Sequence, residues 1–412
     1  MFYFGRMKEE VMMREKLARK KSDISVSITF LIITLVLCIC GQPRKDSQKE
    51  EQITDWDNMC GGFEKFVNCP CPSETRAFLE TLPRDRANKE KGGKDKFFKL
   101  MAGWGYNILS NEITSGNRPA IEAAFRLLNI LEEESLHNIC VDLSRLVRLN
   151  PQVFLELAYE YKDSHYIKGV SYPVSFFIPS YDQLWTAQLF ELEMRLVALE
   201  QVDEDKLREV KTACVICLKD EVEKLKTYPQ VRSFFSRVPQ IKSTGKEVDE
   251  LDREKAVRAG KAFFEYPSLE NAEALRNTIP KTPEIPRTAF SPVDLESDYW
   301  ILDYEALAGN KYAVEVVCRL LNFSDGIAGI MYEATLGNLI RVNPRLYLEV
   351  IKDYRGQPFV IESASGRGIE YNYYEDGIVC IFEARIQALQ SVEDPDLLEI
   401  RDACIRYLRG DR

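Results

Sequence analysis

The sequence predicts an all-α chain: two tandem copies of one multi-helix domain behind an N-terminal signal or anchor segment. Three observations predict it. Residues 116–129 read GNRPAIEAAFRLLN, and residues 309–322 read GNKYAVEVVCRLLN. Arg148-Leu149-Asn150-Pro151 and Arg341-Val342-Asn343-Pro344 follow at equal spacing, so both anchors hold one offset of 193 residues. Apolar residues recur at helical intervals, and no useful run alternates as a half-buried strand would. A match this long and ordered marks an internal duplication, and its period is far too long for a single solenoid unit.

Taken in order, residues 1–23 are basic and polar, with Arg14, Lys16, Arg19, Lys20 and Lys21 near their end. Met1, Met7, Met12 and Met13 all offer a start. Residues 24–40 read ISVSITFLIITLVLCIC, an uncharged core behind a charged flank, which is an export pattern. Seventeen residues lie at the short limit for a spanning helix. The core ends in Leu37-Cys38-Ile39-Cys40-Gly41 and resembles a bacterial lipoprotein signal. The resemblance implies lipidation at Cys38 or Cys40. The small residue usual before the cysteine is absent, so an uncleaved anchor and plain secretion stay open. All three place the body outside the cytoplasm, and the basic flank favours that orientation.

Residues 41–71 read as a polar tether ending in a cysteine cluster, Cys60 and Cys69-Pro70-Cys71. These thiols are expected as a disulfide or as free thiols. A metal site is not expected, because no further ligands lie close in sequence.

The first copy is expected over residues 72–226. Helices are predicted near 73–82, 98–111, 118–131, 134–149, 151–162, 183–201 and 204–226. Residues 227–250, with Pro229, Pro239 and a Ser-Thr-Gly run, read as the linker. The second copy is expected over 251–412, opening on a capping helix near 251–266. Its other helices fall near 268–278, 298–307, 311–322, 328–342, 344–355, 375–391 and 394–409. Leu189, Leu192, Leu196 and Leu199 make an apolar stripe echoed by Val379, Phe382, Ile386 and Leu389 at an offset of 190. Asn150-Pro151 and Asn343-Pro344 read as hairpin corners: proline suits the first helical position, and asparagine before it is a good cap. In general form the whole resembles helical-hairpin repeat folds of the HEAT/armadillo kind.

Composition limits function. The chain carries 55 basic and 65 acidic side chains, a net charge of −10. An acidic body argues against nucleic acid as a partner. Two histidines, His137 and His165, leave little for a histidine metal site or triad. Cys214 and Cys217 share a helix face and read as structural thiols, and Gly366-Arg367-Gly368 lacks the strand and glycine pattern of a phosphate loop. Arg148, Glu193, Arg195, Arg341, Glu383 and Arg385 recur in both copies. They read as ion pairs that fix helix packing within each copy rather than as catalytic groups.

The loops ahead of the Glu/Arg helices differ most and are rich in aromatics. Tyr172, Phe176, Phe177 and Tyr181 in one, and Arg367, Tyr371, Tyr373 and Tyr374 in the other, are candidate binding residues. Their plainer reading is rings folded back over each domain end. No catalytic residue and no cofactor are expected. The expected function is a non-catalytic scaffold or protein-binding module in a bacterial envelope, attached to the membrane through its N-terminal segment. The rivals are a carboxylate-dependent hydrolase and a small-ligand binder using the aromatic loops.

Overall fold

The computed structural model describes residues 55–83, 94–101, 104–131, 133–161, 166–172, 181–237, 252–281, 299–324, 326–354, 357, 359–366 and 375–410. The N-terminal segment with Cys38 and Cys40 lies outside them. So do Phe176, Phe177, Arg367, Tyr371, Tyr373, Tyr374 and the side chain of Tyr181.

Every described element is helical, and no strand occurs among the described residues. In order, α1 is Asp55–Asn68, α2 Pro72–Thr81, α3 Lys94–Met101, α4 Trp104–Thr114, α5 Arg118–Ile130, α6 Glu133–Leu149 and α7 Pro151–Glu160. Then come α8 Tyr166–Val170, α9 Tyr181–Glu200, α10 Arg208–Lys226 and α11 Pro229–Arg237. The C-terminal half holds α12 Arg253–Glu265, α13 Leu269–Thr278, α14 Tyr299–Leu307, α15 Lys311–Leu321, α16 Gly326–Val342 and α17 Pro344–Lys352. It ends with α18 Phe359–Glu362, α19 Glu375–Gln390 and α20 Leu398–Leu408.

Two apolar cores organise these helices. One runs from Trp56 to Val231 and also takes in Ile381; the other runs from Ala259 to Leu408. The short helices α8 and α18 lie outside every expected range, and three further elements depart from the sequence reading. The tether is helical from Asp55, because Trp56, Met59, Cys60, Phe63 and Phe66 fall at helical spacing and are all buried. Phe63 and Phe66 pack on Phe78 of α2 with ring centroids 5.1 and 5.5 Å apart. The linker begins as α11, whose Val231 joins the first core. The single helix expected near 98–111 is two, α3 and α4.

Local chemistry repeats along the chain. Gly116 and Gly309 take positive φ, +81° and +90°, where only glycine avoids a Cβ penalty. Each ends its helix with a pair of reversed bonds: Asn117 N to Glu112 O and Gly116 N to Ile113 O, then Asn310 N to Glu305 O and Gly309 N to Ala306 O. The Asn150 side chain accepts from Val153 N at 3.3 Å, and that of Asn343 accepts from Leu346 N at 3.1 Å. Each caps a helix with proline in its first turn.

Buried arginines close other helix ends. Arg126 donates to the carbonyls of Leu79 and Leu82, and Arg319 to those of Arg276 and Ile279. Each also reaches a tyrosine hydroxyl, Tyr161 or Tyr354. Arg195 donates to the carbonyls of Val170 and Tyr172 behind α8, and Arg385 to those of Ala364 and Ser365 behind α18.

Arg385 lies against the backbone of α16. A Cβ on Gly337 would stand 2.5 Å from its Nη2. Glycine to alanine inside a helix normally stabilises by about 0.5–1 kcal/mol. Here Gly337→Ala is expected to destabilise, by about 1–3 kcal/mol from overpacking. Urea unfolding measures the sign.

Candidate functional site: an ionic seam and a three-thiol cluster

The long helices α6 and α16 each place an arginine in their last turn, where the helix dipole favours a cation. Arg148 makes a two-pronged pair with Glu305, at 2.6 and 3.0 Å, and also binds Glu191. Arg341 makes a two-pronged pair with Glu112, both bonds at 2.7 Å. Asn117 Nδ2 steadies Glu112 at 2.8 Å, and Asn310 Nδ2 steadies Glu305 at 3.2 Å. Arg148 and Arg341 stand 193 residues apart, as do Glu112 and Glu305, and Asn117 and Asn310. Each arginine reaches the glutamate of the opposite half, so the two contacts are reciprocal.

This corrects the expected pairing. Arg341 binds across the halves through Glu112, and Arg148 does so through Glu305 while also keeping a pair within its own half, to Glu191. Arg195 and Arg385 serve backbone carbonyls, Glu193 meets Lys226 at 3.3 Å, and Glu383 is exposed. The sequence reading missed Glu112 and Glu305, although both sit four residues before the Gly-Asn anchors that start its alignment.

Glu305 is 1 % exposed in its side chain. Burial, reinforced by the nearby Glu191 carboxylate against the pull of Arg148, raises its carboxyl from 4.5 to about 7. The folded state therefore binds more protons than the unfolded one between those values. This contribution to stability is fully present below about 4.5 and is lost as pH rises through about 7. Unfolding free energy is expected to fall across that window, and Glu305→Gln to flatten the slope. Denaturant titrations at stepped pH check it.

A second set of buried polar groups lies on α4, α6, α14 and α16. Tyr106 and Ser110 both donate to Asp142, the serine at 2.8 Å. Tyr299 Oη lies 2.9 Å from Thr335 Oγ1, which donates to Asp303 at 2.7 Å. Tyr106 and Tyr299 are again 193 residues apart, while acid and hydroxyl have exchanged helices: Ser110 matches Asp303, and Asp142 matches Thr335. Burial raises both aspartates above their ordinary range, and the Arg145 charge pulls each back.

The third feature is a cluster of thiols. Cys69 lies in the turn after α1, Cys71 immediately precedes α2, and Cys380 comes from α19. Cys69 Sγ and Cys380 Sγ are 2.7 Å apart, and the three sulfurs all lie within 4.8 Å of one another. All three residues are half-buried and free. Burial raises the thiols of Cys69 and Cys380. At Cys71 burial also pushes upward, but hydrogen bonds from the Ser73 hydroxyl and the first amides of α2 outweigh it and favour the thiolate. Cys60 is not part of the cluster: it faces the first core and is fully buried. The sequence reading found no further ligand near Cys69-Pro70-Cys71. The third sulfur arrives from 311 residues beyond Cys69.

No family model, no curated protein and no solved structure matches the chain. What it can do is therefore read from its own geometry. Of the candidate binding residues, Tyr172 is described. It folds inward, its hydroxyl 2.7 Å from His137 Nδ1, and packs edge-on against that ring. Cys214 is buried and its thiol is raised to about 12 by that burial; Cys217 is half-buried. No described helix is long and apolar enough to cross a membrane.

Proposed function

We propose that the chain is a non-catalytic scaffold made of two copies of one helical unit, which binds a partner protein in the bacterial envelope. Its N-terminal apolar segment attaches it there as a lipid-modified or uncleaved anchor. The observation that carries this reading is the use of the recurring charges. Arg148, Arg341, Glu112 and Glu305 join one half to the other through reciprocal pairs. Arg126, Arg195, Arg319 and Arg385 close helix ends. Asp142 and Asp303 accept from hydroxyls. A carboxylate-dependent hydrolase needs acids aimed at an open, water-poor cleft, whereas these acids are spent on internal bonds. Rigidly joined helical hairpins present broad faces to a protein partner. Export is supported by the basic flank and apolar core of residues 1–40.

The test is a pull-down from detergent-solubilised envelopes of the native cell, with the mass of the mature N-terminus read on the same sample. The reading expects a stoichiometric protein partner and a mature chain that starts at a lipid-bearing cysteine or keeps residues 24–40. A chain recovered only from cytosol, or one that turns over an envelope substrate, overturns it.

A further inference from the structure

We propose that Cys69, Cys71 and Cys380 form a metal site that takes one thiophilic d10 cation, Zn²⁺ or Cu⁺, and bridges the two halves. Three sulfurs converge from two separate elements and two halves of the chain. A disulfide would use two and leave the third without purpose. Sulfurs around one zinc lie about 3.8 Å apart, given metal–sulfur bonds near 2.3 Å. The cluster, with all sulfurs inside 4.8 Å, needs only small side-chain rotations to reach that spacing. Thiolates select zinc and cuprous ions over harder cations. Ser73 Oγ lies 3.0 Å from Cys71 Sγ and can hold that sulfur in place, the kind of outer contact that ligating residues use. Each thiol that ligates gives its proton to solvent, and nothing is oxidised or reduced.

A second observation shows that packing alone does not call for cysteine here. Cys380 on α19 matches Phe190 on α9, in the 190-residue register of those helices. Cys69 matches Tyr266, in the 197-residue register set by the carbonyl pairs Leu79/Arg276 and Leu82/Ile279. Phe190 and Tyr266 touch each other edge-on, with ring centroids 5.0 Å apart. One junction between the halves is thus an aromatic pair, and the matching junction is a set of thiols. Two rings suffice to hold the first. The cysteines at the second supply what rings cannot, a set of soft ligands.

The experiment uses the full chain, fully reduced and kept anaerobic. It is titrated with Co²⁺ as an optical stand-in for Zn²⁺, and separately with Cu⁺ against a coloured competing chelator. The expected result is one equivalent bound, with sulfur-to-cobalt charge-transfer absorption that Zn²⁺ abolishes, or one equivalent of Cu⁺. Bound metal should protect Cys69, Cys71 and Cys380 from alkylation while Cys217 still reacts. Cys380→Ser should lose stoichiometric binding. The double variant Cys69→Tyr, Cys380→Phe installs the aromatic pair of the other junction. It should fold with the wild-type far-ultraviolet spectrum and bind no metal. Binding that persists in the double variant overturns the site. So does a reduced wild-type chain that takes up neither ion.

Discussion

Arg148→Met is expected to cost about 3–5 kcal/mol of stability at neutral pH, the range seen when one partner of a buried ion pair is removed. The cost arises less from the lost attraction than from what is left behind. Glu191 and Glu305 would remain in a seam where their side chains are 8 % and 1 % exposed, with no cation between them. The triple variant Arg148→Met, Glu191→Gln, Glu305→Gln removes both charges and should recover more than half of the loss. Urea unfolding of the single and triple variants measures it. If the single change costs under about 1 kcal/mol, the seam behaves as a solvated surface pair.

Phe63→Ala should also cost about 3–5 kcal/mol, the range for truncating a buried phenylalanine. Phe63 is 1 % exposed and packs on Phe66, Phe78 and Phe97. The same substitution in a polar tether would cost nothing measurable. Thermal and urea unfolding therefore decide whether α1 belongs to the folded body, and a change within about 0.5 kcal/mol would remove it from the core.

α1 lies within the stretch expected as a tether. Its apolar residues follow a clean helical spacing, but the polar stretch before them and the cysteines after them carry the signature of a tether. The capping helix expected near 251–266 is α12, Arg253–Glu265. α8 and α18 are too short, five and four residues, to carry a periodic signal. By contrast, the Asn-Pro corners were legible, because each rests on local backbone chemistry that two residues determine.

The candidate site was legible in part. Arg148 and Arg341 stand out as repeated residues, yet repetition says only that a residue is needed, not which half it touches. Pairing across the halves is a fact of three-dimensional docking. The same holds for Cys380, which has no sequence neighbour to mark it as a ligand and occupies the place of a phenylalanine in the other half. The exchange of acid and hydroxyl between Ser110/Asp142 and Asp303/Thr335 hides in an alignment as two mismatches. Only contact between α4 and α6, and between α14 and α16, shows that each half joins a tyrosine, an aspartate and a hydroxyl.

The reciprocal pairing of Arg148 with Glu305 and of Arg341 with Glu112 joins the N-terminal half of the helical body to the C-terminal half. Double-mutant cycles test it most directly, run on three pairs: Arg148 with Glu305, Arg341 with Glu112, and Arg148 with Glu112. The predicted result is a coupling above about 1.5 kcal/mol for the first two pairs and additivity within about 0.5 kcal/mol for the third. Coupling confined to Arg148 and Glu112, which belong to one half, would contradict it.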